Sequence, residues 1–133
     1  MTDIYLTFDI GTTALKTALV GAEGKVCALA EVEYTPRTPQ PGYVEMDPEV
    51  YWEAAVTGAR QVLATSGVRE IAAIGFSSQG ESFVALDEHC RPLSPVLVWL
   101  DSRARELAAR WEREWLSAEH YRAITGFPWV LEG

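Results

Sequence analysis

The sequence of 133 residues contains little cysteine and few basic side chains. Its two cysteines, Cys27 and Cys90, lie far apart and form no C-x-x-C or Cys/His pattern of metal-ligand spacing. Lysine and arginine number 11 against 19 aspartate and glutamate residues, which gives a formal net charge of −8. Because an acidic chain repels phosphate backbones and anionic lipid surfaces, we expect no nucleic-acid partner and no membrane partner.

Long apolar runs are also missing. No stretch reaches 18 apolar residues, and the N-terminus carries Asp3 and Asp9 where a signal peptide would place positive charge and then an unbroken apolar run. The hydrophobic fraction is nevertheless 48%, enough for a buried core, which excludes a disordered polymer. We therefore expect one globular, cytoplasmic domain with reduced cysteines.

The apolar patterning predicts mixed strands and helices. Alternating apolar residues predict three strands joined by short turns, an antiparallel meander. The segment Asp47-Pro48-Glu49 is a strong helix start, and Gly67 is a stop. A continuous apolar run predicts a central strand with helices on both faces. The predicted strands cover residues 4–9, 15–20, 26–34, 71–76, 83–86 and 96–100, and the predicted helices cover residues 48–65, a stretch after Ser102 that includes Trp111 and Trp115, and residues 117–124.

The first group of residues that can carry chemistry lies on the turn between the first two strands. Gly11 lets backbone N–H groups approach a phosphate, while the hydroxyls of Thr12 and Thr13 can donate to its oxygens. Lys16 can neutralise phosphate charge, and Asp9 can hold Mg²⁺ or its waters. Phosphoryl transfer needs these groups. The structural alternative is an Asx-type hairpin turn with no ligand.

The second group, Gln79-Gly80-Glu81, follows the predicted central strand. Open α/β sheets bind ligands at this end of their strands. A Gln amide and a Glu carboxylate can together hold adjacent hydroxyl groups of a polyol. The alternative is a polar turn that leads into the next strand.

The third group, Trp99-x-Asp101-x-Arg103, lies at a predicted strand-to-helix junction. An indole offers an apolar platform for the C–H face of a sugar, and the two charged side chains can bind hydroxyls. The alternative is structural: Trp99 is a core residue, Asp101 caps the helix, and Arg103 is the partner that fixes Asp101.

The three groups, in this order and spacing, resemble the FGGY family of carbohydrate kinases, which includes xylulokinase and glycerol kinase. The similarity extends over most of the chain. Because several motifs occur in the right order, chance is a poor explanation. The matching segments are DIGTTALK at 9–16, PGYVEMDPEVYWEA at 42–55, IGFSSQGES at 74–82, LDEHCRPLSPVLVWLDSR at 86–103 and ITG at 124–126.

The resemblance implies an α/β fold of the actin-like ATPase, or ribonuclease H-like, type. In that fold, sugar and ATP bind in a cleft between two lobes. It implies that Gly11, Thr12, Thr13 and Lys16 face the phosphates of ATP and that Asp9 serves Mg²⁺. It further implies a sugar-binding wall of Gln79, Gly80, Glu81, Trp99, Asp101 and Arg103.

Two positions narrow the substrate that the resemblance implies. Gly80 stands where glycerol kinases carry an arginine, so glycerol itself is less favoured. Glu81 matches a position that holds Glu in glycerol kinases and His in xylulokinases, which leaves xylulose open. A pentulose, or another small ketose or polyol, is the expected substrate class.

Relatives in this family are several times longer than 133 residues, which predicts that the chain is the first part of the sugar-binding lobe. The catalytic aspartate and the adenosine-binding lobe would follow Gly133, so we expect these residues alone to be inactive. The apolar segment Phe127–Gly133 has no capping element after it. An uncovered apolar patch would favour a homodimer. Two alternatives are a non-catalytic actin-like binding domain and another kinase of the actin-like superfamily, such as an acetate kinase or hexokinase relative.

Overall fold

A computed structural model describes residues 3–129 of the chain. In chain order, its elements are β1 (Ile4–Ile10), β2 (Ala14–Gly21), β3 (Val26–Glu33), β4 (Glu45–Met46), α1 (Pro48–Ser66), β5 (Ala73–Ser78), β6 (Val96–Leu97), α2 (Arg105–Glu114) and α3 (Ala118–Thr125).

The main sheet has four strands in the order β3-β2-β1-β5. Strands β1, β2 and β3 pair antiparallel, which confirms the predicted meander. Strand β5 pairs with β1 in parallel, and Ile10 lies opposite Ser78 at their carboxyl ends. Because parallel strands point their carboxyl ends the same way, the turn after β1 and the loop after β5 leave the sheet side by side.

Helix α1 begins and ends where the local signals predict. The Asp47 carboxylate accepts a hydrogen bond from the Glu49 backbone N–H at 3.1 Å, and Pro48 occupies the first turn. Gly67 closes the helix in the left-handed conformation, with φ of 69°. The helix packs mainly on β2 and β3. The core between helix and sheet contains Leu6, Phe8, Leu15, Leu19, Ala54 and Val62.

The prediction for β5 is partly wrong. The strand exists, but it runs from Ala73 to Ser78 and forms one edge of the four-stranded sheet within residues 3–129. Ile74 is 56% exposed and Phe76 71% exposed, so neither is covered as a central strand would be. The reason is the position of α1, which covers β2 and β3 and leaves this apolar edge open.

The segment after β5 also differs from the prediction. No continuous strand forms over residues 83–86; Phe83 and Leu86 make only isolated bridges, to Leu97 and Pro92. The strand predicted over 96–100 contracts to β6, which pairs with β4, a two-residue strand that the pattern did not predict. These short strands enclose a second small core of Met46, Val96 and Val98.

Both C-terminal helices are present, and Ser117 caps α3 by accepting a hydrogen bond from the backbone N–H of His120 at 3.2 Å. The apolar stripe of α2 stays largely exposed, with Trp115 82% exposed. In the predicted apolar segment Phe127–Gly133, the last four residues lie outside the described range. Among the helices of the described chain, none is long and apolar enough to cross a membrane.

Candidate active site

The turn between β1 and β2 is held from two sides. The backbone N–H of Gly11 donates to the Ala14 carbonyl at 3.0 Å, and the Tyr34 hydroxyl donates to the Gly11 carbonyl at 2.8 Å. A β-carbon at position 11 would lie 2.9 Å from the Ala14 oxygen, closer than real side chains come. Glycine is therefore required here by the tight path of the backbone.

Thr12 lies at the centre of the candidate site. Its hydroxyl donates to Gln79 Oε1 at 2.8 Å and accepts from the Trp99 indole nitrogen at 2.9 Å. The amide nitrogen of Gln79 donates to the Tyr51 hydroxyl at 3.1 Å. One member of each of the three predicted groups thus meets within hydrogen-bond distance, although 67 residues separate Thr12 from Gln79 and 87 separate it from Trp99.

Asp9 and Lys16 lie on a different part of the same turn region. They face each other across β1 and β2, and with Thr7 and Ser77 they line a shallow depression on one face of the sheet. Thr13, the remaining predicted phosphate ligand, contributes its backbone carbonyl to the Tyr34 N–H at 2.9 Å. Within residues 3–129, no group of three or more Asp, Glu, His or Cys side chains is suited to a metal ion.

An exposed single carboxylate such as Asp9 still fits Mg²⁺. This ion commonly keeps several waters and binds through one or two carboxylates together with substrate phosphates. The neighbouring Lys16 suits phosphate oxygens for the same electrostatic reason. The donor set therefore fits a magnesium phosphate group better than a metal held by protein ligands alone.

Gly80 and Glu81 lie on the exposed loop after β5. A β-carbon at Gly80 would meet no atom within 4 Å, so the position has room for a larger side chain. Glu81 has a φ of 62°, in the left-handed region that side-chain-bearing residues seldom adopt. The loop continues to Ser82, whose hydroxyl accepts the backbone N–H of Trp99 at 3.0 Å and so joins this loop to the segment after β6.

Asp101 and Arg103 are tied to each other and to the second core. The Arg103 guanidinium donates to both Asp101 oxygens, at 2.8 and 2.6 Å, and to Glu45 at 2.7 Å. It also stacks on the Tyr43 ring, 3.8 Å from its centre. The Asp101 carboxylate accepts the Val44 backbone N–H at 2.7 Å. The structural alternative is therefore right in one respect, since Arg103 fixes Asp101.

The structural alternative is wrong in another respect, because Asp101 is not a helix cap. Helix α2 begins at Arg105, and its N-cap residue is Ala104, which makes no side-chain capping bond. The hydrogen bonds from Arg103, assisted by those from backbone N–H groups, lower the pKa of the Asp101 carboxyl. The paired carboxylates in turn raise the pKa of Arg103. Both side chains thus stay charged near neutral pH.

The sequence pattern missed two tyrosines of this site. Tyr34 and Tyr51 pack edge to face with ring centres 5.2 Å apart. Burial, with Tyr51 and then Asp9 adding to it, raises the pKa of Tyr34 to about 12. Burial also raises the pKa of Tyr51, despite the opposing hydrogen bond from Gln79. A polar-tipped aromatic in the first turn of α1 was the available signal, because a buried tyrosine needs a partner for its hydroxyl.

The N-terminal domain of the FGGY family of carbohydrate kinases matches residues 4–130. This chain belongs to the FGGY family. The match supports the predicted family and decides against a different kinase of the actin-like superfamily.

Individual relatives agree with the assignment of this chain to the FGGY family. The chain is 36% identical over 124 residues to a glycerol kinase of Methylibium petroleiphilum, a match that covers 91% of this chain and 25% of the relative. It is 35% identical over 98 residues to a xylulose kinase of Staphylococcus xylosus, covering 74% of this chain and 20% of the relative. The chain thus spans about a quarter or less of the length of these FGGY proteins.

The FGGY fold is confirmed by solved structures. The crystal structure of gluconate kinase from Lactobacillus acidophilus matches with a TM-score of 0.87 and 26% identity, covering 97% of this chain and 26% of that one. The predicted α/β class of the actin-like ATPase type is therefore correct.

Proposed function

We propose that this chain is part of an ATP-dependent kinase that transfers the γ-phosphate of ATP to a hydroxyl of a small ketose or polyol. The observation that carries the proposal is the meeting of Thr12, Gln79 and Trp99 at the carboxyl ends of β1 and β5. This edge of an α/β sheet is where ligands bind. The three relatives named above act on glycerol, xylulose and gluconate, so the class is supported and the individual sugar stays open.

In this proposal, the turn after β1 serves the phosphates. Gly11, Thr12, Thr13 and Lys16 bind phosphate oxygens, and Asp9 holds the waters of Mg²⁺. Thr12 does so through its backbone N–H, because its hydroxyl proton is directed to Gln79. When bound, Mg-ATP would supply the phosphoryl group, and its Mg²⁺ would offset part of the phosphate charge. The exposed Asp9 and Lys16 pair supports this assignment, since opposite charges close together suit a magnesium phosphate ligand.

The sugar lies on the other side of Thr12. Trp99, 47% exposed, offers an indole face, and Gln79, Gly80 and Glu81 provide the adjacent loop. Asp101 and Arg103 complete the wall, but because their charged atoms already pair with each other, their main contribution is to hold the segment that carries Trp99. We further propose that the protein is cytoplasmic, which its two exposed free cysteines support.

The 133 residues are proposed to be the first part of the sugar-binding lobe and to be inactive alone. An ADP-coupled assay of the longer protein against a panel of ketoses, polyols and sugar acids tests the kinase activity. We expect turnover with at least one ketose or polyol, loss of that turnover in Asp9→Asn, and little change in Glu88→Gln, an exposed acid outside the site. A folded longer protein with no turnover on any ketose or polyol would refute the proposal.

A further inference from the structure

The Thr12 hydroxyl lies in the middle of a chain of four side chains. Trp99 donates to Thr12, Thr12 donates to Gln79, and Gln79 donates to Tyr51, over 2.9, 2.8 and 3.1 Å. The four residues come from the segment after β6, the turn after β1, the loop after β5 and the first turn of α1. A single line of hydrogen bonds thus joins four separate segments of the candidate site.

Each donor in this line has an acceptor. The indole N–H of Trp99 can only donate, so the Thr12 oxygen accepts from it. The Thr12 proton goes to the carbonyl oxygen of Gln79, and the amide nitrogen of Gln79 faces Tyr51. The Tyr51 hydroxyl is therefore the acceptor that fixes the orientation of the Gln79 amide.

Tyr51 is well placed to do this because it is held itself. It lies in the first turn of α1, half-buried, with its ring against Tyr34. The Tyr34 hydroxyl donates to the Gly11 carbonyl, on the residue before Thr12. Tyr34 thus fixes the backbone of the turn after β1, and Tyr51 reaches the Thr12 side chain of that turn through Gln79.

We propose that Tyr51 is a positioning residue of the site, which orients the Thr12 hydroxyl through Gln79. That hydroxyl joins the sugar-facing Trp99 to the phosphate turn. The role of this line in catalysis rests on the proposed kinase function. Gln79 has a second amide hydrogen left for a sugar hydroxyl, so positioning Thr12 and touching the sugar are compatible. A sugar that moves Trp99 would also move Thr12 and so change the affinity for ATP. By linkage, ATP would then change the affinity for the sugar by the same factor.

The indole N–H resonances of the 133-residue chain test the line without any assay of activity. The sequence has five tryptophans, and Trp99→Phe identifies the Trp99 peak in a ¹H–¹⁵N spectrum by its loss. We expect Thr12→Val to move that peak and Tyr51→Phe to move it in the same direction by less. Tyr5→Phe is the matched control, because Tyr5 lies on β1 at the end away from the turn.

Each outcome of this test decides the proposal. A Trp99 peak that moves in Thr12→Val but stays at its wild-type position in Tyr51→Phe would overturn it, since the line would end before Tyr51. An unmoved peak in Thr12→Val would overturn it as well. An equal shift in Tyr5→Phe would attribute the effect to general loosening and would also count against it. Urea unfolding of each variant confirms that the spectra come from folded protein.

A kinetic measurement connects the line to function. In the longer protein, we expect Tyr51→Phe to lower kcat/KM for the sugar about fivefold, the effect of one lost hydrogen bond, and Tyr5→Phe to leave it unchanged. Unchanged kcat/KM in Tyr51→Phe would overturn the positioning role. If no sugar is turned over at all, the proposed function fails, while the spectra still report whether the line of hydrogen bonds exists.

Discussion

Gly58 of α1 lies directly against Thr17 of β2. A β-carbon at position 58 would collide with the Thr17 hydroxyl oxygen and lie 3.0 Å from the Thr17 β-carbon. Thr17 is fully buried, and among residues 3–129 its hydroxyl has no hydrogen-bond partner. The small oxygen therefore occupies the space that glycine leaves, and this contact sets how closely the helix approaches the sheet.

Gly58→Ala is expected to destabilise the chain, although alanine is the better helix former. Overpacking costs about 1 to 3 kcal/mol, whereas the helix propensity gained is about 1 kcal/mol. The urea midpoint should fall. Gly75→Ala is the control, because a β-carbon there would meet only Thr7 Cγ2 at an ordinary 3.8 Å. A midpoint for Gly58→Ala equal to or above wild type would show that α1 can move away without cost.

The pairing of Asp101 with Arg103 predicts an acid-sensitive stability. Since the folded protein holds the pKa of Asp101 below its usual value, the unfolded chain binds a proton at higher pH than the folded one. The stabilisation is therefore present above about pH 4 and is lost as the pH falls below it. Asp101→Asn should lower the urea midpoint at pH 7 and reduce the further drop between pH 7 and pH 3.

Asp87→Asn is the matched control for this prediction. Asp87 also pairs with an arginine, Arg91, but that arginine side chain is 73% exposed, against 25% for Arg103. Solvent weakens exposed ion pairs, so Asp87→Asn should lower the urea midpoint at pH 7 by less than Asp101→Asn does. An Asp101→Asn variant with the acid sensitivity of the wild type would show that this carboxylate is not the group responsible.

The parts of the fold that were predictable are those set by local chemistry. Helix α1 follows from Asp47, Pro48 and Gly67, which all act within one turn of its ends. Strand β6 was predicted with the longer bounds 96–100, but its partner β4 was not predictable in the same way. The two strands pair across about 50 residues, and the two residues of β4 carry no periodic signal. Coverage of β5 depends on where α1 lies, which the apolar run itself does not encode.

The candidate site shows the same division. Asp9, Gly11 and Lys16 could be selected from the sequence, because these residue types close together around one turn are typical of phosphate and Mg²⁺ binding. The hydrogen bond between Thr12 and Trp99 joins residues 87 positions apart, and only the fold brings them together. Tyr51 was not among the predicted site residues, because it belongs to none of the three motifs that carry the predicted chemistry. Its function as a hydrogen-bond acceptor emerges only with Gln79 in place.

The exposed edge of β5 predicts self-association of the 133-residue chain. Phe76 stacks on Phe8 at 5.4 Å and is 71% exposed, next to Ile74. Burying such a patch in a second copy removes apolar surface from water. Light scattering should show a fraction of dimer that rises with protein concentration and is smaller in Phe76→Lys. Leu93→Lys, at an exposed loop leucine, is the control. Scattering from monomer alone at all concentrations would contradict the prediction.

Gly80 should accept arginine without loss of stability. Its β-carbon position is open to beyond 4 Å. The resemblance to the FGGY family leads us to expect an arginine at this position in glycerol kinases. Gly80→Arg is therefore expected to keep the wild-type urea midpoint and, in the longer protein, to raise activity on glycerol relative to ketoses. Gly11→Ala is the contrasting variant, because its β-carbon would press on the Ala14 carbonyl and should lower the midpoint. Unchanged substrate preference would argue that position 80 does not face the sugar.

Glu81 is expected to trade stability for function. A non-glycine residue in the left-handed region costs about 1 kcal/mol or more, and Glu81→Gly removes that cost. Glycine also loses more conformational entropy on folding, which offsets part of the gain. The urea midpoint of Glu81→Gly should therefore rise or stay level. Glu81→Gln keeps the strained backbone and removes only the charge, so its midpoint should stay at the wild-type value. If the carboxylate binds sugar hydroxyls, both variants should raise KM for the sugar in the longer protein. A Glu81→Gln enzyme with wild-type KM would exclude that role and would leave the strain at position 81 without a catalytic reason.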